Sequence, residues 1–108
     1  MEKVLGKIDF VEFGKVRDYP FLIGLQIGFK LADCGAIMCG GKYTVNIDKA
    51  CRWEESERQQ AITVNIENVY KILNDAKVSY VSELLNKPVE VTIDKNTFQD
   101  FRILTEVL

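Results

Sequence analysis

The 108-residue chain contains no histidine. That absence removes the imidazole on which Ser-His and Cys-His nucleophile pairs, most proton shuttles and most zinc enzyme sites depend. Carboxylate, lysine or tyrosine chemistry survives, or no catalysis. An excess of one charge is missing too: 14 Lys and Arg stand against 16 Asp and Glu, a net charge of −2, with no long run of either sign. Whole-surface attraction to nucleic acid or to anionic membrane is therefore not expected, and neither is an acidic mimic of DNA, although a local basic patch stays open. No segment is built to span a membrane, because the most apolar stretch, residues 20–32, is roughly half the ~20 residues such a helix needs and is interrupted by Gly24, Gln26 and Gly28. The opening Met-Glu-Lys-Val-Leu-Gly-Lys lacks the basic-then-apolar order of a secretory signal. Cysteine is sparse and odd in number, Cys34, Cys39 and Cys51, which suits a reducing, cytoplasmic setting. There is no CxxC pair, and three thiols with Asp33 or Asp48 make a poor structural zinc site, so buried thiols and no metal or other cofactor are expected.

What is present fits a single globular domain over residues 1–108, with 47% hydrophobic residues for a core and no repeat, low-complexity segment or linker. Its centre is Phe21-Leu-Ile-Gly-Leu-Gln-Ile-Gly-Phe-Lys-Leu31, in which every odd position is large and apolar. Period two makes this a β-strand with an apolar odd face; the even face carries Gly24, Gln26 and Gly28, where uncovered backbone lets a second subunit or another partner approach. Before it, residues 3–13 form a strand whose apolar parity changes, which calls for a β-bulge near Phe10 and Val11. After it, residues 33–42 are too irregular to assign. Tyr43, Val45 and Ile47 then alternate as a third strand, and Ile62, Ile66, Val69, Leu73 and Ala76 follow at helical spacing, with Tyr70 beside them, inside a helix from about 54 to 76 that Ser56 is placed to cap. Residues 79–86 form one helical turn that buries Val81, Leu84 and Leu85 and that Pro88 stops. Val89, Val91 and Ile93 alternate in a further strand, Asn96 supplies a left-handed turn residue, and residues 98–108 form a last strand. The sum is an α+β domain: an antiparallel sheet of about five strands in the order β-β-β-α-α-β-β, with one long helix packed on one face.

Two clusters are candidates for ligand binding. Gly40-Gly41-Lys42-Tyr43 joins a flexible loop to a strand; consecutive glycines turn N–H groups toward an anion, while the lysine and the aromatic ring suit a phosphate and a base. The spacing is not that of a Walker loop, and a tight turn is the plainer account of it. Arg52-Trp53 precedes the helix and Arg58 lies about one turn inside it. Should Lys30, Lys42, Arg52 and Arg58 converge around Trp53, they form a small cationic and aromatic nucleotide site; otherwise Trp53 packs the helix entry among solvated charges. Asp9, Glu12, Glu90 and Asp94 alternate with apolar strand positions, so they read as solvated partners and not as a catalytic pair.

The C-terminal third carries a resemblance. Leu84-Leu-Asn-Lys-Pro-Val-Glu-Val-Thr-Ile93 and the ending Phe101-Arg-Ile-Leu-Thr-Glu-Val-Leu108 resemble a group of small tailed-phage and prophage proteins that show a Gly-Lys-Pro-Val-x-Val-Thr strand and a terminal Arg-Ile-Leu-Thr-Glu-Val-Leu. Gly6-Lys7-Ile8, Glu12-Phe13-Gly14 and Ile23-Gly24-Leu25 look like the opening of that group. Two differences stand out: Asn86 replaces the usual glycine, and residues 33–42 lack the Trp-Gly and Gly-Asp-Phe type of loop. The resemblance implies a phage or mobile-element origin and action inside a bacterial cell. By analogy with small phage proteins, it points to a non-enzymatic binding protein, expected as a homo-oligomer, that blocks a host defence protein or sequesters a nucleotide signal. The alternative is an accessory single-stranded nucleic-acid-binding protein of phage replication or recombination, which needs basic and aromatic residues together on one surface.

Overall fold

A computed structural model describes residues 1–33, 35–48 and 54–107. Its frame is a hairpin of two long strands, β1 (Glu2–Val16) and β2 (Tyr19–Leu31). Two short strands, β3 (Ala36–Met38) and β4 (Thr44–Asn46), both pair with β2 on its outer side, β3 at residues 28–30 and β4 at residues 22–24. Helix α1 (Glu55–Ala76) and a single 3-10 turn (Val81–Leu84) lead to β5 (Pro88–Asp94) and β6 (Thr97–Ile103). The strand order is β3-β2-β1-β5-β6, with β4 also on β2, and every pairing is antiparallel. The α+β class and the strand and helix order are as the sequence implies, with six strands in place of about five. The extra one, β3, lies in the stretch that periodicity could not assign, because three residues are too few to show a period.

The parity change in β1 is resolved by a bulge at Asp9, between the pairs Ile8–Phe29 and Phe10–Gly28, one residue earlier than expected. It keeps Ile8 on the core face and returns Val11 to that face opposite Ile27, while Phe10 is turned to the outer face. A second irregularity, between Thr92 and Ile93, lets both Phe98 and Phe101 point inward from β6. Lys95 and Asn96 both have left-handed φ, 51° and 63°, which gives the β5–β6 hairpin the backbone twist that flanking strands favour. Asn86 also sits at a left-handed φ of 69°, a conformation that glycine adopts freely and asparagine tolerates.

The sheet is strongly curled. Phe29 of β2 lies 5.6 Å from the ring of Phe98 and 5.0 Å from that of Phe101, although β1 and β5 stand between their strands. On a flat sheet three strand spacings of ~4.8 Å would separate them. The odd face of β2 therefore meets the opposite edge of its own sheet, and Leu25, Ile27, Phe29, Ile8, Val89 and Val91 are completely buried in the resulting trough. That face is not uniformly core: Ile23 is half-buried and Phe21 exposed, because the hairpin runs on past the trough. The radius of gyration, 14.5 Å, exceeds the ~13 Å of a compact chain of this length for the same reason.

Helix α1 closes the gap between β4 and β6. It buries Arg58, Asn65, Ile72 and Ala76, so the expected stripe is corrected: Ile62, Val69 and Leu73 are half-buried and Ile66 is exposed. The rotation is set by two polar ties. Arg58 donates from Nε and Nη2 to the carbonyl of Ile47 at 3.3 and 3.2 Å, and Asn65 Nδ2 donates to the carbonyl of Tyr43. Seven helical residues rise ~10.5 Å and four strand residues ~13 Å, so the two ties align the helix along residues 43–47. The helix starts after Glu54 with no side-chain cap, which corrects the role given to Ser56; Glu55 instead accepts from Arg58 and Gln59. It ends in a left-handed Lys77, with Val78 N–H donating to the carbonyl of Leu73. In the 3-10 turn Leu84 is buried as expected, but Leu85 is exposed. The final strand stops at Ile103, and Thr105–Val107 form a 3-10 turn in place of continued strand.

Candidate functional site

Of the cationic and aromatic set, Arg52 and Trp53 lie outside the described residues, as do Cys34 and Cys51. The others do not converge. Lys42 extends from the β3–β4 connection to the far edge of the sheet, where Nζ donates to the carbonyl of Gln99 at 2.6 Å and pairs with Asp100 Oδ1 at 3.1 Å. It also stands over the rings of Tyr43 and Phe98, at 5.8 and 5.7 Å. Asp100 Oδ1 in turn accepts from the N–H of Phe101 at 2.9 Å, so one lysine and one carboxylate cover polar backbone on the open edge of β6. Arg58 is buried and bonded to Ile47 and, at 2.9 Å, to Glu55. Lys30 lies on the outer face of β2 directly opposite Lys7 of β1. Tyr43 is buried, its ring edge-on to Phe101 at 6.0 Å, and burial followed by the nearby Asp100 charge pushes its phenol well above the ordinary tyrosine value.

The glycines of the even face receive the chain's own atoms. A Cβ on Gly24 would lie 2.1 Å from the Tyr43 carbonyl oxygen, and φ there is +154°, so glycine is needed for β4 to dock. A Cβ on Gly28 would meet Met38 Sδ at 2.6 Å and Phe10 Cβ at 3.2 Å. These two positions are filled by the third and fourth strands and by the bulged part of the first.

Between them the structure opens a cleft of about 350 Å³ on the outer face of β2. Val16, Tyr19, Leu22 and Met38 supply its apolar walls, Gly40 and Gly41 one rim, and Gln26 its floor. Gly40 is in the left-handed region at φ 63°, and the Gly41 carbonyl accepts from both N–H and Oγ1 of Thr44, at 3.1 and 2.8 Å, which fixes the turn. The half-buried Gln26 amide makes no side-chain hydrogen bond among the described residues. The fold thus joins Gln26 to Gly40 and Gly41, which the sequence singled out for separate reasons. It adds Tyr19, Leu22 and Met38, which the sequence did not, because only the β3 pairing brings Met38 alongside Gly28.

Behind the glycine turn, buried Cys39 Sγ accepts from the N–H of Ile27 at 3.3 Å, and burial raises its thiol above the ordinary value. This is the buried thiol expected from composition. A second cleft, of about 290 Å³, runs between α1 and β6 past Lys42, Lys71, Asp75 and Asp100; Lys71 and Asp75, one turn apart on α1, pair along its helical wall at 3.1 Å. On the outer face Arg102 bonds Glu90 and Glu106 at 3.2 Å each; the hydrogen bond from Arg102 holds Glu106 below its ordinary value. Among the described residues no group of three or more His, Cys, Asp or Glu is placed to hold a metal ion. No helix among them is long and apolar enough to cross a membrane.

No protein-family model, curated protein or solved structure matches the chain.

Proposed function

We propose that this chain is a non-enzymatic, phage- or prophage-encoded binding protein that acts in the bacterial cytoplasm and antagonises host defence by blocking a defence protein. The resemblance of its ending to tailed-phage proteins supports the setting. The observation that carries the mode of action is the Gln26 cleft: apolar walls, one amide on the floor that makes no side-chain hydrogen bond among the described residues and a rigid glycine rim suit an apolar side chain of a protein target, with Gln26 bonded to the adjacent backbone. Sequestration of a nucleotide signal has less support, since two of the four cations expected to form its site, Lys42 and Arg58, are engaged in holding the fold and Lys30 lies apart from them on the outer face of β2.

The test is to mix the purified protein with candidate defence complexes, and separately with cyclic oligonucleotides and ADP-ribose-type signals, while scoring phage growth in defended cells. Binding to a defence protein that Gln26→Leu with Tyr19→Ala weakens at least tenfold, about 1.4 kcal/mol, is the expected result. Binding of a nucleotide alone, or no rescue of phage growth, overturns the reading.

A second reading, single-stranded nucleic-acid binding, is favoured by one observation. Lys7 and Lys30 sit directly opposite each other on the outer face, an unfavourable like-charge pair that a phosphate would relieve, and Phe10 is exposed on the same face. A gel shift at low salt that Lys7→Glu abolishes would promote it above the first.

A further inference from the structure

Asn68, Lys71, Ile72 and Asp75 recur along α1 at spacings of three and four, so the helix presents them as one stripe, and that stripe walls the cleft between α1 and β6. Tyr43 lines the same cleft. It is only 5% exposed, yet its hydroxyl makes no hydrogen bond among the described residues. The other buried polar side chains described, those of Arg58, Asn65 and Cys39, all have partners. A buried hydroxyl without one is costly and rare in native structures, so a group entering the cleft is the natural partner for it. The half-buried Asn68 amide, on the helical wall, likewise makes no side-chain hydrogen bond among the described residues.

We propose that this cleft binds one neutral, polyhydroxylated ring, a free monosaccharide or the terminal sugar of a larger molecule, held by the Tyr43 hydroxyl and the Asn68 amide. The charges on its walls select neutrality. Lys42 pairs with Asp100 and Lys71 with Asp75, at 3.1 Å each, so an anion entering the cleft meets two carboxylates and a cation meets two ammonium groups. Arg102, which also lines it, is already engaged by Glu90 and Glu106. The groups left to bond are the phenol, which burial and the nearby Asp100 charge keep protonated, and the amide. Each both donates and accepts, as a sugar hydroxyl does, so a sugar satisfies them without breaking either ion pair. Phe101 and Ile72 supply apolar surface for the C–H face of the ring. At about 290 Å³ the cleft lies at the small end of the ~300–1,000 Å³ that ligand pockets span, which suits a single ring. It shares no residue with the Gln26 cleft, so this site and the proposed binding activity stand or fall separately.

The test titrates the isotope-labelled full chain with glucose, galactose, N-acetylglucosamine and ribose, and with the amino and phosphate derivatives of the same sugars. Nuclear magnetic resonance follows the Asn68 side-chain amide and the backbone amides of residues 68–75 and 100–103. The expected result is saturable shifts there with at least one neutral sugar, at a Kd of about 1 mM, the range open to so small a ligand, and at least tenfold weaker binding of its charged derivatives. Tyr43→Phe keeps the ring and removes only the unpartnered hydroxyl; it is expected to weaken binding about fivefold or more with little change in the thermal midpoint, and Asn68→Ala to weaken it likewise. Methyl glycosides and short oligosaccharides of the sugar that binds separate the two sources: retained or tighter binding marks a terminal unit, loss of it a free sugar, and both support the site. No saturable shift with any neutral sugar leaves the hydroxyl to solvent and overturns the proposal. So does a charged derivative that binds more tightly, or binding that Tyr43→Phe does not weaken. Should Tyr43→Phe disturb the fold, Asn68→Ala decides the matter alone.

Discussion

Lys42 donates from its ammonium to the backbone carbonyl of Gln99 at 2.6 Å, across 57 residues of sequence. The contact joins the β3–β4 side of the sheet to the β6 edge, beside the rings of Phe29, Phe98 and Phe101 that fill the curled trough. A lysine placed among glycines, which reads as part of an anion loop, is here a clasp.

Lys42→Ala therefore should cost little stability and much edge protection. The partners are substantially exposed, so about 0.5–1 kcal/mol is expected, shrinking as salt is added. Hydrogen exchange at residues 99–103 should quicken by more than the global loss accounts for, and chemical denaturation with exchange mass spectrometry measures both.

Gly24 and Gly28 should respond differently to alanine. At Gly24 the new Cβ meets backbone and φ is one that L-residues rarely adopt, so a loss of about 2–4 kcal/mol and undocking of β4 are expected. At Gly28 the nearest atom belongs to the half-exposed, flexible Met38 side chain, and a loss of about 1 kcal/mol suffices. Urea midpoints of the two variants, with equal m-values, would show the ranking.

The helix ties predict that Asn65→Ala and Arg58→Ala each destabilise by about 1–3 kcal/mol, since each removes a bond between the helix and the residues flanking β4 and leaves a gap behind it. Arg58→Lys should not restore the wild-type midpoint, because two guanidinium donors share the Ile47 carbonyl and an ammonium has no such fork.

Tyr43 makes stability fall in alkali. Its phenol is held neutral in the folded state by burial, so the unfolded chain releases this proton at lower pH than the folded one. The unfolded state then binds fewer protons, and stability is fully present below about pH 10 and declines as pH rises above it. Tyr43→Phe should remain within about 0.5 kcal/mol of wild type at pH 7 and flatten that decline. Thermal melts at pH 7 and pH 10.5 would settle the sign.

Much of the fold was legible because period and parity are local properties. The alternation in residues 21–31 defines β2, and Val89, Val91 and Ile93 define β5. The helix from 55 to 76 and the need for a bulge in β1 were equally readable. Of the candidate site, Gln26, between two glycines of β2, and the Gly40-Gly41 turn were visible in the sequence. Their grouping was not, for β3 is too short to carry a pattern and Met38 and Tyr19 arrive from separate turns of chain.

The sequence by itself determined the class, the strand faces, the absence of imidazole chemistry and the helix length, each a consequence of residue type and spacing. Only the tertiary structure decided which way the helix turned and what the lysine and arginine do. Those outcomes depend on carbonyls of Tyr43, Ile47 and Gln99 that no side-chain pattern marks. Asn65 and Arg58 reach the carbonyls of Tyr43 and Ile47 from the inner side of the helix, and the rotation those bonds fix leaves part of the apolar stripe facing outward.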